Sequence, residues 1–242
     1  MSALLLGGVS VVLLNVYAVV LIVLRGRVYG VGIYRPMLLN IGLSFAPVLL
    51  AIVFGAGLVL LTPVATRVND LVGGVGSGVL WAYLVVATLV WLVFFPNSVY
   101  LITELNFSHR AQQTPVPLWY DIVHTLALTL SGIANAILSL AVVQTMYVLV
   151  VDPPGDRVPP GSWIFAGVVI VLGAVGVYVG RYLRVNSWDI RHPGAMLRRV
   201  RVHLRQRGTA LEAAGFVLTH AVLIALLYVP LFRLGWASLV LG

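Results

Sequence analysis

Residues 37–61 read MLLNIGLSFAPVLLAIVFGAGLVLL, with no charged side chain at any position. The hydrocarbon core of a bilayer, about 30 Å thick, is crossed by about 20 apolar residues in a helix. The stretch predicts a membrane-spanning helix. Pro47 predicts a kink within it, with Ser44 or Asn40 placed to relieve the freed backbone groups. Working outward, comparable runs occur at about 3–24, 77–96, 120–150, 163–181 and 213–232. The expectation is an all-α protein: a polytopic transmembrane helical bundle of about six helices, built as one integral membrane domain over residues 1–242.

Composition agrees with this reading. Hydrophobic residues make up 61% of the 242 and charged residues 9%, with a mean hydropathy of +1.05. About 25% charged residues is usual in a soluble domain, so the chain lacks the polar surface to cover a soluble core. The absence of cysteine removes disulfides, thiolate metal sites and a cysteine nucleophile. Met1 leads directly into apolar residues, and Arg25 and Arg27 follow the run. The first segment therefore reads as a retained helix rather than a cleaved signal peptide.

All fifteen basic residues are arginine, and their positions carry the orientation. With six crossings, loops one, three and five hold twelve of them, eight lying between Arg181 and Arg207, while loops two and four hold Arg67 and Arg157. The positive-inside rule puts the odd loops in the cytoplasm and both termini outside. The net charge of +8 is thus an orientation signal, and nucleic acid is not an expected partner. Residues 194–208, GAMLRRVRVHLRQRG, place Met196, Leu197, Val200 and Leu204 on one helical face and Arg198, Arg201 and Arg205 opposite. That pattern predicts a cytoplasmic interfacial amphipathic helix, with anionic membrane lipids as its partner. Asn106–Phe107–Ser108 fits a glycosylation acceptor but falls in a loop assigned to the cytoplasm, so it carries no weight.

Polar residues near helix ends hold what chemistry the chain has, because burying them in hydrocarbon is costly unless they are paired or wetted. Residues 91–104, WLVFFPNSVYLITE, run from aromatics through Pro96 into Asn97, Ser98, Tyr100, Thr103 and Glu104. They read either as an interfacial helix end or as a segment folded back against the bundle. In the next segment, Asp121 and His124 share a helix face at i and i+3. At 100° per residue, Thr125, Ser131, Gly132, Asn135 and Ser139 fall with them within about 120° of arc. That arc suits either interhelical packing with hydrogen bonds or a wet cavity. The third segment, residues 180–193, holds Arg181, Arg184, Asn186, Ser187, Asp189 and His192. Its two guanidinium forks suit a phosphate or a paired carboxylate. All three segments fall on the predicted cytoplasmic side. Glu104, Asp121, His124 and Asp189 are the candidate acid–base residues, and Asn97, Tyr100, Arg181, Arg184 and Asn186 the candidate substrate or anion contacts. No metal signature, Walker loop, G-x-S-x-G or G-x-G-x-x-G is present, so no metal site is expected and the cofactor is left unspecified. His220, alone in the last run, predicts a helix-to-helix hydrogen bond.

Taken together, Trp91-Leu92-x-Phe94-Phe95-Pro96-Asn97-x-x-Tyr100-x-x-Thr103-Glu104, Trp119-Tyr120-Asp121 and Gly180-Arg181-x-x-Arg184-x-Asn186-Ser187-Trp188-Asp189 resemble the multi-pass membrane proteins of domain-of-unknown-function family 1361, over roughly residues 38–193. Members of that family usually carry Asp at the position of Glu104, often with His three residues later, where this chain has Phe107. The resemblance implies a polytopic helical membrane domain and supplies no reaction. Three function classes follow from the residues. An enzyme acting on a lipid or polyprenyl headgroup would gather polar residues at one leaflet boundary. A small-solute or ion transporter would need a cavity at mid-membrane, with a homo-oligomer offsetting the small helix count. An accessory subunit would use the same residues for fold and contact.

Overall fold

The computed structural model describes residues 3–33, 35–104, 115–151, 158–183 and 193–240. Seven helices lie among them: α1 (Ala3–Tyr29), α2 (Arg35–Leu71), α3 (Val75–Tyr100), α4 (Leu118–Val151), α5 (Pro160–Leu183), α6 (Pro193–Leu204) and α7 (Thr209–Val240), with no strand among the described residues. Six of the seven, all but α6, are long and apolar enough to cross a membrane. Each runs past the ends of its apolar stretch in the sequence, because flanking polar residues continue the helix; Arg25 and Arg27 belong to α1, Arg67 to α2 and Arg181 to α5. Leu60, Leu71 and Leu211 are among many large apolar side chains left exposed around the bundle. In water such a surface would drive association; in lipid it is the ordinary exterior.

The central helix is α4, which packs against α1, α2, α3, α5 and α7. Of its most apolar window 56% is buried, against 22% for α1, α2, α3 and α7. One apolar core joins α2, α3, α4, α5 and α7 around Trp91, Phe95, Leu140, Val143 and Tyr228; a smaller one joins α1, α2 and α4 around Ala18, Ile41 and Leu128, with Leu101 from the end of the α3 segment.

Close backbone approach sets the geometry. A Cβ on Gly173 would meet the Phe95 ring at 2.6 Å, and one on Gly176 the Pro96 ring at 2.5 Å. These contacts explain a departure from the sequence reading. The helix does not end or fold back at Pro96; it continues to Tyr100 and closes in a 3-10 turn, Leu101–Glu104, with Ser98, Val99 and Leu101 fully buried. Proline removes one ladder bond, but packing of Phe95 and Pro96 into the α5 glycines holds the helix through it. In the Pro47 region Ser44 is engaged from other helices, its carbonyl accepting the Ser98 hydroxyl of α3 at 2.6 Å and its Oγ accepting Asn135 Nδ2 of α4 at 3.0 Å.

Candidate functional site

Polar groups buried between helices fall in three layers along α4. In the middle layer, Asn135 and Asn15 of α1 exchange amide hydrogen bonds, at 2.8 and 3.0 Å. The second Nδ2 proton of Asn135 goes to Ser44 Oγ at 3.0 Å, and that of Asn15 to the Val11 carbonyl at 2.9 Å. Toward the end of α4, Gln144 Nε2 donates to Ser162 Oγ at 3.1 Å, Gln144 Oε1 accepts the Tyr228 hydroxyl, and Ser162 Oγ donates to the Pro159 carbonyl at 2.9 Å. Both layers are closed, as a low-dielectric interior demands of buried polar groups.

The layer at the start of α4 is different. Tyr120 donates its hydroxyl to the Leu21 carbonyl of α1 at 2.7 Å, and its ring meets Tyr29 edge-on at 5.2 Å. Arg25 lies one turn after Leu21, and Asp121 directly follows Tyr120, so this clamp brings the two charges together. Arg25 Nε donates to Asp121 Oδ1 at 3.1 Å. A single bond through Nε leaves the terminal guanidinium nitrogens with no bond to any described residue. One helical turn deeper, His124 is 93% buried (7% exposed), and its Nε2 has no hydrogen-bond partner among the described residues. Arg25 and Asp121 both act on the imidazole electrostatically. The indole nitrogens of Trp91 and Trp236 are also buried without a partner, but neither Trp side chain carries a titratable group.

The remaining candidates lie on other elements. Asn97 donates back to the Phe94 carbonyl of its own helix at 3.0 Å, and Tyr100 is half-buried against the larger core. A Cβ on Gly132 would lie 2.7 Å from both Leu101 Cβ and the Ser98 carbonyl. The end of α3 is therefore level with Gly132, about 16 Å along α4 from Asp121 at helical rise. Asn97 and Tyr100 belong to this end of α3, and Leu101, which follows them, shares the smaller apolar core with Tyr120. Glu104 closes the 3-10 turn. Arg181 is half-buried in the last turn of α5. Arg184, Asn186, Ser187, Asp189 and His192, with Asn106–Phe107–Ser108, lie outside the described residues. No group of three His, Asp or Glu comes together among the described residues. His220 bonds within its own helix, Nδ1–H to the Phe216 carbonyl at 2.8 Å, rather than to a neighbour; the Phe216 ring stacked on it at 3.8 Å holds that orientation. Arg25 is the site residue that sequence reasoning missed. In the sequence it reads only as a loop charge, but it lies in the last turns of α1 and pairs with Asp121.

The fold and its buried polar layers define a multi-pass helical membrane protein. Its residues 39–228 match the family model described as "Protein of unknown function (DUF1361)", and the chain belongs to that family. The match runs past the motifs that suggested it, through α6 and into α7. Comparison with curated proteins and with solved structures found no match.

Proposed function

We propose that this protein is a membrane enzyme acting on the headgroup of a lipid or polyprenyl carrier at the cytoplasmic leaflet of the cell membrane. The observation that carries the reading is the Arg25–Asp121 ion pair with the buried His124 Nε2 beside it, which has no hydrogen-bond partner among the described residues. Arg25 presents its terminal guanidinium nitrogens to a headgroup phosphate. His124 transfers a proton to or from the reacting group. Asp121 positions Arg25 and balances the charge of the imidazolium when it forms. The arginine distribution supports a cytoplasmic placement for this end. A permease is the weaker alternative, since the mid-depth layer of Asn15, Asn135 and Ser44 is filled by mutually bonded side chains.

The test uses purified protein in liposomes of total polar lipid, with headgroups followed by mass spectrometry and solute uptake followed in parallel. The expected result is a headgroup change that falls about a hundredfold or more in Asp121→Asn, the scale of general acid–base catalysis. Solute accumulation with headgroups intact would replace this reading with transport. Full function in Asp121→Asn and His124→Gln, with only protein yield reduced, would replace it with a structural role.

A further inference from the structure

We propose that a groove between the end of α5 and α6 binds the phosphate of an anionic phospholipid headgroup, at a second site separate from the Arg25–Asp121–His124 layer and independent of its chemistry. The groove is a shallow depression open at the surface, of about 370 Å³, lined by Leu183, Arg198, Arg199, Val202, His203 and Gln206. The helix α6 is too short and too polar to span a membrane, and it packs on α5 and α7. Its placement is fixed by a hydrogen bond between Tyr178 Oη of α5 and His203 Nε2 at 3.0 Å. At its far end Gly208 takes φ +84°, a left-handed conformation suited to glycine, and turns the chain into α7. Successive arginines on a helix point about 100° apart, yet Arg198 and Arg199 both reach this groove. Among the described residues neither meets a carboxylate. Two guanidinium groups with no carboxylate partner among the described residues, lining one concavity, match a phosphate, which accepts several charge-assisted hydrogen bonds at once. Leu183 of α5 and Val202 of α6, which also line the groove, suit the first methylenes of an acyl chain, which favours a lipid over free phosphate. Arg201 and Arg205 do not line the groove, so they report on general surface charge instead.

The experiment is native mass spectrometry of the detergent-purified full chain after exposure to vesicles of phosphatidylcholine with phosphatidylglycerol. The parent protein and Arg201→Gln/Arg205→Gln should retain phosphatidylglycerol. Arg198→Gln/Arg199→Gln should retain it about tenfold less, the consequence of losing charge-assisted bonds, with an unchanged thermal unfolding midpoint. Excess inorganic phosphate should leave the bound lipid in place. Equal loss in both double variants would overturn the groove in favour of diffuse surface attraction. Displacement by inorganic phosphate would overturn the lipid assignment.

Discussion

The two ends of α4 bury polar groups by opposite rules. At the Gln144 end, and at Asn135 in the middle, side-chain amides from α4 are matched by partners from α1, α2, α5 and α7. At the Asp121 end, an ion pair is left partly exposed and a buried imidazole nitrogen is left without a described partner. Closed layers fix which helices are neighbours and in what register. The open layer also ties α1 to α4, through Tyr120 and the Arg25–Asp121 pair, but it leaves one buried imidazole nitrogen without a described partner, and an unsatisfied buried polar group costs about 1–3 kcal/mol. Of the buried groups left without a partner among the described residues, the others being the indole nitrogens of Trp91 and Trp236, His124 Nε2 alone is titratable, and the proposed chemistry is placed there and not at Gln144.

Breaking the closed layers should cost the most. Asn135→Leu leaves the Asn15 carbonyl oxygen without a donor inside the bundle, and unfolding in detergent should show a loss of about 2 kcal/mol. Replacing both members, Asn15→Leu with Asn135→Leu, should recover more than half of that loss, because paired removal leaves fewer orphaned groups; an additive loss would show that the pair is not closed in the way described. Gln144→Leu leaves only the Tyr228 hydroxyl without an acceptor and should cost about 1 kcal/mol in the same measurement. His124→Gln should change stability least, within about 0.5 kcal/mol, since it breaks no described hydrogen bond. A loss as large as that of Asn135→Leu would erase the distinction between the two ends.

Much of this was legible in the sequence because membrane helices announce themselves by length and apolarity. Residues 37–61 already imply α2, and the 100° spacing of Asp121, His124, Thr125, Ser131, Gly132, Asn135 and Ser139 implies a buried face; all seven are indeed buried. Partners were harder to read. Asn15 and Asn135 are 120 positions apart, and nothing local marks Asn15 as the amide that faces Asn135. Arg25 was read for its charge alone, since the Tyr120–Leu21 clamp that delivers it to Asp121 depends on tertiary contact. Gln144 gave no signal at all, being one polar residue in a long apolar run. Pro96 misled for a physical reason: its local preference for ending a helix is overridden by packing against Gly173 and Gly176.

The central claim is that the open layer receives a phosphorylated headgroup, and ¹⁵N NMR of histidine-labelled protein in nanodiscs tests it most directly. His124 is assigned by its loss in His124→Gln, and His220, bonded within its own helix, serves as the internal control. On addition of a polyprenyl phosphate to neutral phosphatidylcholine nanodiscs, the account predicts a shift of the His124 Nε2 resonance, abolished by Arg25→Gln, with His220 unmoved. A His124 resonance indifferent to the phosphate, or one that moves equally in Arg25→Gln, would contradict it.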